Sequence, residues 1–266
     1  EDVTVFSATR TPTDAFSSCM RLFSTDIDGT IYDGPESADL FADFWTSLRE
    51  RESPPLLVYN TGRELDDALS LIETTTLPVP DYLICGVGTV IFHPEKQSRL
   101  EAWNEHLARE WDFDIVWGTV IEQQKARPQP ASCQNPHKCS WFWEDADTEE
   151  IRELVDLIAD RGVRAQAIYS SNRDLDFLPV RANKGNAVSW LGREVGVAAE
   201  EIVVAGDSGN DSSMYAVEGA RGVLVSNAEA ALVEATRKVS PFRASQPCAA
   251  GVIQGLKHHL NGGDTG

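Results

Sequence analysis

Basic side chains are scarce in this chain: 23 lysines and arginines stand against 42 aspartates and glutamates, for a formal net charge of -19. Nucleic acid and anionic membrane are recognised through positive surface, so neither is expected as a partner. An anionic substrate must instead be met locally, by a metal ion or by a few placed cations and backbone N–H groups. Long apolar runs are also missing, and nothing approaches the ~20 residues of a membrane-spanning helix. Cysteine is sparse. Cys19, Cys85, Cys133, Cys139 and Cys248 form no CxxC pair and no Cys/His spacing suited to zinc, which fits reduced thiols in a cytoplasmic protein. Residues 1–19 lack an apolar core and carry Glu1, Asp2 and Asp14, so a secretory signal is not expected there. They read as an N-terminal extension, with organelle targeting left open.

What is present is an ordinary globular balance, 42% hydrophobic and 24% charged, over 266 residues. That length suits one large α/β domain or a medium domain with a smaller one. Arg21 to Thr25 reads as a buried strand running into Asp26. A helix follows over Leu40, Phe41, Phe44, Trp45 and Leu48, with Ser37 as its expected N-cap. Leu56 to Tyr59 and Tyr82 to Cys85 read as strands, with a helix over Leu65, Ala68, Leu69 and Ile72 between them. The rhythm resumes late, with a helix from Asn186 to Val195, a strand from Ile202 to Ala205, a helix from Asp211 to Glu218 and a strand from Gly222 to Val225. Strands alternating with helices predict a Rossmann-like parallel sheet covered on both faces, with ligands at the carboxyl ends of the strands. Between the two blocks the composition changes, and Trp103, Leu107 and Trp111 open what reads as an inserted α/β subdomain. The expected division is a core of residues 20–102 and 179–262 with a cap of residues 103–178.

The sharpest chemical feature is Asp26-Ile27-Asp28-Gly29-Thr30, directly after a buried strand. Two carboxylates one residue apart can divide labour, one attacking and one moving a proton, while Gly29 and Thr30 permit a tight turn that exposes N–H groups to phosphate. Thr61 ends the second strand, where its hydroxyl and N–H suit a phosphate oxygen. Lys184 stands just before a helix and offers a positive charge. Asp207 and Asp211, in Gly206-Asp207-Ser208-Gly209-Asn210-Asp211, supply hard oxygen ligands suited to magnesium. Singly each has a bland explanation: a solvated acidic loop, a helix cap, a surface lysine. Four such sites in this order, each at a strand end or helix start, do not.

In that order these motifs resemble those of the haloacid dehalogenase superfamily of phosphohydrolases. The resemblance implies Asp26 as a nucleophile that forms a phosphoaspartate and Asp28 as general acid and base. It implies Thr61, Lys184 and Asn210 as phosphate contacts. Mg2+ would be held by Asp26, Asp207 and the backbone carbonyl of Asp28, with Asp211 supporting the site. A narrower resemblance covers Met20 to about Leu260. Pro80-Asp81-Tyr82, Val87-Gly88-Thr89, Tyr169-Ser170-Ser171, Asp174 to Pro179 and Asn183-Lys184-Gly185-Asn186 are similar to the sucrose-phosphatase family, which includes mannosylfructose-phosphate phosphatases and an aminosugar-phosphate phosphatase. It implies an α/β cap between the second and third motifs that holds the sugar, with Lys138, Ser171 and Asp174 as specificity residues. His137, Trp141 and Trp143 are read as loop and packing residues. Gly29 in place of Asn, and Asn172 in place of Gly, depart from the sucrose enzymes. Val58 to Arg63, Leu77-Pro78 and Ser140-Trp141-Phe142 are as similar to the mannosylfructose-phosphate enzymes.

The expectation is therefore a magnesium-dependent phosphatase of a small sugar phosphate, sucrose 6-phosphate or mannosylfructose 6-phosphate first. A glycosyltransferase that makes the substrate is the expected partner. Phosphatases of other sugar or aminosugar phosphates, and hexose-phosphate mutases, are the alternatives. A non-catalytic sugar-phosphate sensor fits less well, because Asp26, Asp28, Lys184 and Asp207 are all retained.

Overall fold

A computed structural model describes residues 19–261. Apart from Cys19, the expected N-terminal extension lies outside the described residues. The chain opens with β1 (Leu22–Thr25), α1 (Pro35–Arg49), β2 (Leu56–Asn60), α2 (Leu65–Thr74), β3 (Tyr82–Cys85), β4 (Val90–His93), β5 (Ser98–Arg99) and α3 (Glu101–Ala108). An inserted unit follows: α4 (Phe113–Glu122), β6 (Arg127–Pro128), β7 (Cys139–Phe142), α5 (Thr148–Asp160), β8 (Ala165–Ser170) and β9 (Asp174–Pro179). The chain closes with α6 (Lys184–Glu194), β10 (Ile202–Gly206), α7 (Ser212–Tyr215), β11 (Arg221–Leu224), α8 (Ala230–Ala235), β12 (Phe242–Arg243) and α9 (Cys248–Leu260).

The larger sheet runs β12-β11-β10-β1-β2-β3-β4-β5, parallel from β12 to β3 and antiparallel at β4 and β5. Its central strands β1, β2 and β10 are almost wholly buried because both faces are covered, whereas the edge strand β5 is polar and exposed. One face buries Phe23, Leu57 and Tyr59 against Phe41 and Trp45 of α1, Ala68 of α2 and Val252 of α9. The other buries Leu22, Val58 and Val204 against Trp103 of α3, Val188 of α6 and Met214 of α7. β1 lies between β2 and β10, so the chain winds outward from it in both directions. A ligand crevice is expected at the carboxyl end of such a switch point, and Asp26 and Asp207 follow β1 and β10 there.

Two local expectations change. Gly34 rather than Ser37 is the N-cap of α1, because Pro35, with its fixed φ and missing N–H, takes the first helical position. The Ser37 hydroxyl instead accepts from Asp33 N and donates to the Gly34 carbonyl, both at 2.9 Å. The insert also starts later than Trp103. Helix α3 packs on the large sheet, where Trp103 is fully buried and its indole N–H donates to the Gly88 carbonyl at 3.0 Å. Trp111 lies beyond the helix end and donates to the Pro136 carbonyl at 2.8 Å.

The insert is a four-stranded antiparallel sheet, β6-β7-β9-β8, with α4 and α5 on one face. Helix α5 begins at Asp147, whose carboxylate accepts from Glu149 N, and buries Ile151, Leu154 and Ile158 on a single helical stripe. Trp141, Trp143, Leu175 and Phe177 pack with them, so the cap has its own core. Because side chains alternate along a strand, Ser140, Ile168 and Asp176, which are cross-strand neighbours, share the opposite face. The cap joins the core through two adjacent linkers. Arg164 N donates to the Glu110 carbonyl at 2.9 Å and Val180 N to the Arg164 carbonyl at 3.0 Å.

Candidate active site

The carboxyl ends of β1, β2 and β10 and the start of α6 bring Asp26, Thr61, Lys184, Asp207 and Asp211 together. Lys184 is fully buried, with Nζ 3.1 Å from Asp26 Oδ1 and 2.6 Å from Asp211 Oδ1. Burial alone would depress its pKa, but the charges of Asp26 and Asp211 outweigh that and hold the ammonium above its ordinary value. Asn183 caps α6 through its side chain, so the helix starts at the lysine. Asn60, buried at the end of β2, donates to the Lys184 carbonyl at 3.0 Å and ties strand to helix. Gly185 allows close packing here, since a Cβ on it would meet the Ser213 carbonyl at 2.0 Å.

Asp26 is pushed up to about 7, first by burial and then by Asp211, with Lys184 opposing. Asp207 rises to about 6, again from burial and Asp211, with a hydrogen bond from Thr30 opposing. Ligand atoms of Asp26, Asp207 and Asp211 lie within 4.8 Å of one another. Crowded hard oxygens, with Asp26 and Asp207 held back from ionising, fit a small divalent cation, which would relieve the repulsion between them. Asp211, however, has both oxygens occupied: Oδ1 by Lys184, and Oδ2 by the N–H groups of Asp207 and Ser208 at 2.9 and 3.0 Å. Its geometry suits holding the loop and the lysine. Gly29 adopts φ 72°, and the Asp207 carboxylate fills the space where a Cβ would sit, at 2.2 Å.

Asp28 stands apart from this buried cluster. Its carboxylate, half exposed, accepts from Arg63 Nε and Arg63 at a terminal nitrogen, both at 2.8 Å. Thr61 is buried, with its N–H donated to the Ile84 carbonyl and its hydroxyl accepting from Arg63 N at 3.1 Å. Asn210 lines a cleft of about 780 Å³ between core and cap, with Gly62, Ser208 and Glu229 on the core side and Gln166, Ile168, Ser170 and Asp176 on the cap side.

Of the three cap residues singled out from sequence, none lines that cleft. Ser171 is exposed at the β8–β9 turn with φ 54°. Asp174 is taken up by Arg173 and Gln129. Lys138 is buried in an ion pair with Glu64 at 2.7 Å and donates to the Cys133 carbonyl at 2.8 Å. Asp176 was missed: its Oδ1 is buried without a hydrogen-bond partner, and burial raises its pKa, with Lys138 opposing. Arg63 and Glu64 were missed as well. The strand alternation of Asp176, in phase with Asp174, was the available signal for the first; the other two follow Thr61-Gly62 directly.

This parallel sheet with an inserted cap and an acid-and-lysine cluster at its strand ends defines a haloacid dehalogenase-type hydrolase. Solved haloacid dehalogenase-like hydrolases under 25% identical share the fold. The chain belongs to the sucrose-6F-phosphate phosphohydrolase family, matched over residues 19–260, and is a phosphoric monoester hydrolase. It is 39% identical over 241 residues to a mannosylfructose-phosphate phosphatase of Agrobacterium fabrum, covering 90% of this chain and 96% of that protein. Against sucrose-phosphatase 1 of Nicotiana tabacum the identity is 32% over 266 residues, 95% of this chain but only 62% of the longer plant protein. The structure of the sucrose-phosphatase from Synechocystis sp. PCC6803, in complex with sucrose and phosphate, superposes with a TM-score of 0.79 at 29% identity, covering 90% of this chain and 98% of that one. Among the described residues no helix is long and apolar enough to cross a membrane.

Proposed function

We propose that the chain hydrolyses a sugar phosphate, with a disaccharide phosphate as its substrate class, through a phosphoryl group carried on Asp26. The observation that supports the chemistry best is the contact of buried Lys184 with Asp26, because a carboxylate can attack an anionic phosphate only where charge is neutralised. Asp26 attacks phosphorus, the bond from phosphorus to the sugar oxygen breaks, and Asp28 gives its proton to that oxygen. Water then attacks the phosphoryl group on Asp26 while Asp28 takes up a proton, so that phosphate leaves and both residues are restored. Thr61 and Asn210, together with Lys184, bind the phosphoryl oxygens. Asp26, Asp207 and the Asp28 carbonyl would hold Mg2+, which supplies positive charge to the phosphoryl oxygens.

The sugar class rests on the cleft. Asp176, whose Oδ1 is buried without a partner, lines this cleft with Gln166 and Ser170, and a sugar hydroxyl is the kind of donor that would satisfy it. The relatives named for mannosylfructose phosphate and sucrose phosphate point the same way. The test is phosphate release with magnesium from mannosylfructose 6-phosphate, sucrose 6-phosphate and single-ring hexose phosphates. Disaccharide phosphates should give the highest kcat/KM; equal rates across the panel would refute the disaccharide reading.

A further inference from the structure

Away from the two linkers, the side-chain hydrogen bonds and ion pairs between cap and core among the described residues converge on one place. Glu64 Oε1 accepts from Lys138 Nζ at 2.7 Å, Glu64 Oε2 from Asn135 Nδ2 at 3.1 Å, and Thr89 Oγ1 from the same amide at 3.0 Å. Asn135 and Lys138 also exchange two backbone hydrogen bonds, at 3.1 and 3.0 Å, so this cap loop moves as a unit. Both charged groups are withdrawn from water, Lys138 at 8% and Glu64 at 19% side-chain exposure. Glu64 is the N-cap of α2, yet its carboxylate makes no hydrogen bond to that helix. It is turned over to the cap instead. The two residues before it are Gly62, in the cleft wall, and Arg63, which grips Asp28.

We propose that Glu64 is a positioning residue: it seats the cap loop Asn135 to Lys138 on the core loop Thr61 to Glu64 that follows β2, and so fixes the cap over a bound sugar. The sugar part of this rests on the function proposed above; the seating does not. Removing one partner of a pair this dry leaves the other charge uncompensated, so the loop detaches rather than relaxing in place. A substrate that reaches the cap then loses its binding surface, whereas one confined to the phosphate end does not.

Hydrogen–deuterium exchange without substrate reads the seating directly. In Glu64→Gln, amides of residues 133–138 should exchange about tenfold faster or more, with β1 and β10 unaltered, while Glu64→Asp, which keeps the charge, stays nearer to wild type. Unchanged exchange over 133–138 overturns the proposal, and so does a uniform rise across the core strands. Kinetics then reads the consequence. The kcat/KM of Glu64→Gln should fall on a disaccharide phosphate by about tenfold more than on p-nitrophenyl phosphate, chiefly through KM. Equal losses on the two substrates overturn it. If wild type cleaves p-nitrophenyl phosphate but no sugar phosphate, the functional reading fails and the exchange result alone decides the seating.

Discussion

The guanidinium of Arg63 meets both carboxylate oxygens of Asp28, each at 2.8 Å, across 35 positions of sequence. Such a fork fixes a carboxylate in orientation as well as charge. Asp28, proposed above to move the proton, is therefore held from the second motif rather than from its own loop. Asp67 takes another nitrogen of the same arginine at 2.8 Å and steadies it from α2.

Arg63→Lys should lower kcat about tenfold or more, because a single ammonium cannot reproduce the fork, and general acid and base catalysis as a whole contributes roughly 10²–10⁴. Steady-state kinetics on the best substrate checks this. A kcat within twofold of wild type would show that Asp28 finds its geometry without Arg63.

Asp26→Asn should abolish phosphate release, with a loss on the order of 10⁴-fold, as expected when a nucleophile is removed. The fold should persist, since Lys184 keeps Asp211 at 2.6 Å. Thermal unfolding alongside the activity assay separates loss of chemistry from loss of structure.

Asp26, at about 7, and Asp207, at about 6, both lie above the ordinary aspartate value, so the metal-free folded chain holds protons that the unfolded chain has released. Their contribution to stability is complete below the unfolded value and is lost as pH rises through 6 and 7. A divalent cation held by Asp26 and Asp207 would bind the ionised pair, so its effect would run the other way. The rise in Tm on replacing chelator with magnesium should be greater at pH 8 than at pH 5 by about 3 °C or more. Scanning calorimetry at both pH values checks it, and equal increments would contradict the assigned site.

Asn60→Leu removes the donor that joins β2 to the backbone of Lys184. It should cost about 1–3 kcal/mol of stability, the penalty for leaving a buried carbonyl unpaired. Inorganic phosphate should also inhibit the variant more weakly, because the start of α6 is released. Denaturant unfolding and product inhibition read the two effects separately.

The core motifs were legible because each is local. Asp26, Thr61 and Asp207 follow apolar strand runs, and Lys184 opens a helix, so residue type and position coincide within a few residues. Arg63 with Asp28, and Glu64 with Lys138, were not legible because they join segments 35 and 74 residues apart. Only the sheet order brings them together. Lys138 is a specificity residue by resemblance, but its ion pair with Glu64 depends on how the cap docks. Helix α9 went unread although Ala249, Val252, Ile253 and Leu256 repeat at helical spacing after Pro247; that signal was available. Helix α7 spans Ser212–Tyr215 rather than Asp211 to Glu218: a tight turn over Gly209 to Asp211, built around the Asp211 carboxylate, takes its first residue, and the helix ends at its C-cap Ala216.

The chain enters and leaves the cap side by side, with Arg164 bonded both to Glu110 before the insert and to Val180 after it. A unit with its own core, joined through two neighbouring linkers and seated on the core at Glu64, can be exchanged without disturbing the strand ends that carry Asp26 and Lys184. The fold thereby separates two tasks: the cap is free to vary as a cassette, while the cluster of acids and lysine is held by the large sheet and its own helices.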